Sequence, residues 1–111
     1  MNIQEYIKED GGSPYQKWFN SLDHVAAAKI TVAISRLELG NTSNIKWFGG
    51  IGEYIINWGP GYRIYLAQEG NKIIILFVGG TKRTQKYDIG AAKKLFLEYK
   101  DRKKEANQRK R

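Results

Sequence analysis

Residues 53–67 read EYIINWGPGYRIYLA, and this stretch decides the fold class. Glu53 to Trp58 is rich in aromatic and β-branched residues, which suit a pleated, half-buried surface, and Gly59-Pro60-Gly61 is compatible only with a turn. Tyr62 to Ala67 is then the returning strand, with Tyr62, Ile64 and Leu66 on one face and Arg63 and Tyr65 on the other. Gly70-Asn71 makes a second tight turn, and Ile73 to Val78 is apolar at every position, as a strand buried on both faces requires. Strand signals begin at Lys46, and three strands joined by two short turns form an antiparallel meander.

Upstream, Met1 to Ile7 reads as a short edge strand ended by the turn residues Asp10, Gly11 and Gly12. Ser13-Pro14 starts a helix, because a Ser side chain caps orphan amides and Pro at the first helical position has no amide to lose. Its aromatic face is Tyr15, Trp18 and Phe19. Leu22, Ala26, Ile30, Ala33, Ile34 and Leu37 recur at helical spacing, predicting a second helix over 22–39 with Gly40 as its stop; together the two helices form a helical hairpin. A last helix is expected from Asp88, read as its N-cap, with Ile89, Ala92, Leu95 or Phe96, and Tyr99 facing inward. The order β-α-α-β-β-β-α predicts an α+β fold: a small antiparallel sheet, meander plus N-terminal edge strand, against a helical hairpin and a C-terminal helix.

At 111 residues the chain is one domain with a modest core, expected over residues 1–99 with a basic, solvated tail at 100–111. Residues 1–81 hold seven basic and seven acidic residues and residues 82–111 hold twelve and four, so the net charge of +8 lies wholly in the last quarter. Such a concentration points to a nucleic-acid partner. With no Cys and one His, disulfides, thiol nucleophiles and thiolate zinc sites are excluded. The absence of a long apolar run or a signal peptide makes a cytoplasmic protein without a membrane partner the expectation.

Three features point to chemistry. Arg63 sits mid-strand, where a rigidly held guanidinium fork matches two phosphate oxygens; a solvent-facing Arg is the plainer reading. The segment 79–88, GGTKRTQKYD, ends a buried strand with two glycines that allow close approach or a sharp turn. It then presents Lys82, Arg83 and Lys86 beside a helix N-terminus, which suits a polyphosphate chain; a solvated connection is the alternative. The acids are scattered, so a carboxylate-bound metal is not expected. RNA can still be cleaved without one, through attack of a 2′-hydroxyl on its own phosphate assisted by a base, cations and a proton donor. Lys46 is counted with Arg83 and Lys86 as a nucleic-acid-binding cation. His24 reads as inert, Trp18 as core, and Trp47 and Trp58 either as packing or as stacking surfaces for nucleobases.

The stretch Leu37-Glu38-Leu39-Gly40-Asn41, the run Gly59-Pro60-Gly61-Tyr62-Arg63-Ile64-Tyr65 and the segment from Gly79 to Ile89 resemble the RelE/ParE toxin superfamily, and within it the HigB-like branch of addiction module killer proteins. The resemblance spans residues 2–100. It implies a RelE-like microbial RNase-type fold and a type II toxin that cleaves messenger RNA on the ribosome, inhibiting translation without metal or cofactor. The implied partners are mRNA, the ribosome and a cognate helix-turn-helix antitoxin, through which alone operator DNA is reached. The family's strand Arg falls on Arg63 and its cation after the last strand on Lys82, while Tyr87 lies near a catalytic Tyr of some relatives; Arg63, Lys82 and Tyr87 are thus the expected catalytic set. Where the branch often has a basic residue before the Gly-Pro-Gly turn this chain has Ile55, and Thr81 replaces an acid. Two other readings follow: a ParE-like toxin that poisons gyrase by contact, and a weakened relative that only binds antitoxin and RNA.

Overall fold

A computed structural model describes residues 1–109. The chain runs β1 (Asn2–Glu5), α1 (Pro14–Asn20), α2 (His24–Glu38), β2 (Ile45–Phe48), β3 (Ile51–Ile56), β4 (Tyr62–Glu69), β5 (Ile73–Thr81), a 3-10 turn (Lys82–Thr84) and α3 (Gln85–Arg109). The α+β class is as expected, with all strands in one sheet of order β1-β5-β4-β3-β2.

Two features of the sheet differ from expectation. It is mixed rather than antiparallel, because β1 pairs parallel to β5; parallel neighbours need a long crossover, and α1, α2 and the meander supply it. It also has a fourth meander strand, β2, paired antiparallel to β3. Gly49 and Gly50 join these two strands with φ of +56° and +85°, the doubly left-handed turn that fits the twist of a hairpin. β2 has only four residues, and Lys46 and Trp47 are both exposed, so it shows little hydrophobic alternation.

The helix starts follow their capping residues. Ser13 Oγ accepts from the Gln16 amide at 3.0 Å, and Asp23 Oδ1 accepts from the Ala26 amide at 2.9 Å, so α2 begins at His24 rather than at Leu22. Gly40, with φ of +89°, closes α2 by donating to the Leu37 carbonyl at 2.9 Å.

The sheet is covered on both sides. Tyr54, Ile64, Leu66, Ile74 and Leu76 pack with Tyr15, Ala26, Ile30 and Leu37 beneath α1 and α2. On the other face Ala67, Ile75 and Phe77 meet Leu95, Phe96 and Tyr99 of α3, and Tyr65 and Ile51 meet Ala92. Ile74 to Phe77 are therefore buried throughout, as the continuous apolar run requires.

The glycines at 79 and 80 lie within β5 rather than after it, and they face opposite sides of the sheet. A Cβ on Gly79 would stand 2.4 Å from the Trp18 ring, so α1 is seated on bare backbone there. Gly79→Ala is expected to destabilise the protein by about 1–3 kcal/mol, the usual range for overpacking, read as a lower urea midpoint.

The last helix corrects two expectations. It begins at Gln85, so Asp88 lies in its first turn instead of capping it. It also continues unbroken past residue 99, since Lys, Glu, Arg and Ala favour helix even where no apolar stripe guides the eye. Arg102 donates to the Ile7 carbonyl at 2.6 Å and Lys103 pairs with Glu69, so the segment read as a solvated tail is anchored at its start; residues 110 and 111 lie outside the described residues. Among the described residues no helix is long and apolar enough to cross a membrane.

Candidate active site

Strand register brings the chemistry together on the α3 face. Arg63 lies between Ile55 on β3 and Gly80 on β5, while Glu53 lies between Tyr65 on β4 and Lys46 on β2. Residues paired across strands share a face, so Lys46, Glu53, Arg63 and Tyr65 all project the same way. Arg63 is 9% exposed, and the solvent-facing reading is thereby excluded.

Glu53, which the sequence reading passed over, is the anchor of the site. It is 1% exposed, and a charge that deep must be hydrogen-bonded and paired. Its Oε2 accepts from the Tyr65 hydroxyl at 3.0 Å and from Gln85 Nε2 at 2.8 Å, and stands 3.7 Å from Arg63 Nε. Arg63 Nη1 donates to the Gly61 carbonyl at 2.8 Å, whereas the buried Nε has no hydrogen-bond partner among the described residues. The guanidinium is thus held from two sides by a carbonyl and a carboxylate.

The same Gly61 carbonyl accepts from the Lys82 amide at 2.9 Å, which ties the end of β5 to the turn before Arg63. Gly61 has φ of +75°, and a Cβ there would lie 3.0 Å from Arg63 Nη1 and 3.5 Å from Lys82 Cβ. One carbonyl therefore ties the Arg63 guanidinium to the backbone of Lys82. Gly80 makes room for a third group, because a Cβ on it would stand 1.8 Å from Asp88 Oδ2. Asp88 is buried and accepts from the Thr84 hydroxyl, locking the 3-10 turn to the start of α3.

Arg83 and Lys86 are exposed around this turn and, with Tyr87, border an open hollow of about 630 Å³. Tyr87 is 81% exposed and projects from a side of α3 different from that of Gln85 and Asp88, so it does not join the Arg63 cluster. Lys46 is exposed at the sheet edge on the same face as Glu53. His24 is exposed at the start of α2.

Burial, reinforced by the Glu53 hydrogen bond and charge, pushes the Tyr65 phenol well above its ordinary value. Tyr65 therefore serves at neutral pH as a protonated donor to Glu53. Because the folded protein holds this proton more tightly than the unfolded chain, the associated stability is complete below pH 10, the ordinary tyrosine value, and declines as pH rises above it. Tyr15 acts in the same direction through burial. Stability against urea is expected to fall above pH 10, with a shallower fall in Tyr65→Phe.

No protein-family model matches the sequence. Over 86 residues, covering 76% of this chain and 87% of the relative, the chain is 42% identical to a Haemophilus influenzae protein that carries the name "Uncharacterized protein". The chain belongs to that protein's family. This kinship assigns no chemistry, which leaves the Arg63 face as the feature that bears on function.

Proposed function

We propose that the protein is a type II toxin with a RelE-like fold, an endoribonuclease that cleaves mRNA on the ribosome without a metal and is neutralised by a helix-turn-helix antitoxin. The observation that supports this reading best is the coupling of Arg63 and Lys82 through the Gly61 carbonyl, with Glu53 behind the guanidinium. The Arg63 guanidinium, held on a strand, loses little entropy on meeting a phosphodiester, and Lys82, whose backbone is tied beside it, supplies a second charge; both act on charge that grows as the 2′-oxygen attacks phosphorus. Arg83, Lys86 and Lys46 add positive charge around this corner, and Tyr87, which stands outside the Arg63 cluster, adds an exposed ring beside Arg83 and Lys86 rather than a proton for the leaving oxygen.

A second reading draws on Ile55. It stands directly beside Arg63 in the register, so this face has an apolar side chain where the HigB-like branch often places a cation, which favours a binder over an efficient nuclease. Induction in a bacterial host separates the readings. Message cleavage with arrested translation supports the endoribonuclease; DNA damage with intact messages supports a gyrase poison; growth without either effect supports a weakened relative. The gene next to this one should encode the antitoxin, and a neighbour without a helix-turn-helix would count against the toxin assignment.

A further inference from the structure

On the opposite side of the sheet, between α2 and the end of β3, lies a cleft of about 360 Å³, within the size range of small-ligand sites. It is lined by Lys29 and Arg36 from α2, Asn44 from the loop before β2, and Asn57 and Trp58 from the turn after β3, and no carboxylate borders it. Its floor is neutral, since the Tyr54 hydroxyl donates to the Ala33 carbonyl at 3.1 Å. Among the described residues neither Lys29 nor Arg36 has a carboxylate within 4.0 Å. The two cations lie two turns apart along one helix face, about 10 Å in rise.

Trp58 gives the cleft a fixed aromatic wall. Its indole is 36% exposed, yet its position is set: the ring stacks on Tyr62 with centroids 6.2 Å apart and planes at 19°, and its amide donates to the Ile56 carbonyl at 2.9 Å. The Lys29 ammonium stands 5.3 Å from the ring centroid. A fixed aromatic face, an ammonium resting on it, a guanidinium further along and two side-chain amides without hydrogen bonds among the described residues match one chemistry. The ring offers stacking to a planar base, the amides offer donors and acceptors to its edge, and the cations attract a phosphate.

We propose that this cleft binds a nucleotide unit, an aromatic base joined to a phosphate. The base takes the place of the Lys29 ammonium against Trp58, and the released ammonium joins Arg36 on the phosphate. Such a unit has two sources, a free mononucleotide or one residue of an RNA strand. Ile55, the register partner of Arg63, also lines the cleft, so a strand leaving the Arg63 face reaches the cleft around the end of β3. In that form the proposal rests on the endoribonuclease reading; as a mononucleotide site it stands without it.

Titration of the isotope-labelled full chain with adenosine and uridine 5′-monophosphates, inorganic phosphate and a short single-stranded RNA, followed by amide and indole NMR shifts, tests the site. Both mononucleotides should shift the Trp58 indole and the Asn57 amide, and inorganic phosphate should bind at least tenfold more weakly. Lys29→Ala/Arg36→Ala, at two exposed positions of α2, should weaken mononucleotide binding at least tenfold with helical circular dichroism unchanged. Tighter binding of RNA through the same shifts assigns the site to a strand; mononucleotide binding unaffected by RNA assigns it to a free nucleotide. The proposal is overturned if millimolar nucleotide and RNA leave Trp58 unmoved, if phosphate binds as well as nucleotide, or if the double variant binds as the parent does. Arg63→Lys should leave the mononucleotide shifts intact, so loss of cleavage and loss of this site are separately readable.

Discussion

Arg63→Lys is expected to release growth arrest on induction and to slow RNA cleavage by about two to three orders of magnitude, the usual effect of removing one preorganised donor from a site of developing charge. Lys keeps the charge but not the planar fork: it cannot reach the Gly61 carbonyl, the Glu53 side and a phosphate at once. It is also a cleaner test than Ala, which would leave Glu53 buried without its cation. Lys82→Ala should have a comparable effect on cleavage with little effect on folding, because Lys82 is exposed and its backbone bond to Gly61 survives the substitution. The measurements are growth after induction, primer extension on host messages and circular dichroism of the purified variants. Full toxicity in both variants would remove the site from this corner of the sheet.

Glu53→Ala should be the most damaging polar substitution for stability, lowering it by about 3 kcal/mol, the low end of the range for breaking a buried pair. Arg63 Nε lies 3.7 Å away, beyond hydrogen-bond range, which sets the expectation at that end. The loss has several parts: a buried guanidinium loses its counter-charge, the Tyr65 hydroxyl and the Gln85 amide lose their acceptor, and a cavity opens between β3 and α3. Glu53→Gln keeps the shape and an acceptor oxygen and should recover part of the stability. Urea unfolding of the three proteins measures this, and a Glu53→Ala midpoint equal to the parent's would show that the carboxylate anchors nothing.

Part of this site was within reach of the sequence, because alternation along the hairpin puts Glu53, Ile55, Arg63 and Tyr65 on one face. The register was not: closing 59–61 alone would pair Trp58 with Tyr62 and set Asn57 opposite Arg63, whereas the connection spans 57–61 and places Ile55 opposite Arg63 and Glu53 opposite Tyr65. The acid is hidden in a run whose other members are aromatic or β-branched, so a strand reading absorbs it. Gln85 carries no role of its own in the 79–89 segment, and Asp88 reads as a cap because Asp before an apolar period commonly is one. The cap shifted because Gly80 leaves a hollow into which the Asp88 carboxylate turns, a fact of packing that local pattern does not contain.

By itself the sequence determined what is local in the chain: where α1 starts, where α2 stops, the places of the two turns, the alternation that separates Arg63 from Ile64, and the α+β class. These depend on interactions spanning a few residues, such as side-chain caps, permitted φ angles and periodic burial. Only the tertiary structure decided that β1 pairs parallel to β5, that β2 forms at the far edge, that α3 runs past residue 99, and that Glu53, Gln85, Arg63 and Lys82 converge. Each of those depends on which surfaces come to face one another across the sheet. The same difference explains the charge: the net +8 is concentrated after residue 81, yet the cation at the centre of the site comes from the electrically balanced region before it, because burial beside Glu53 rather than charge density gives Arg63 its place.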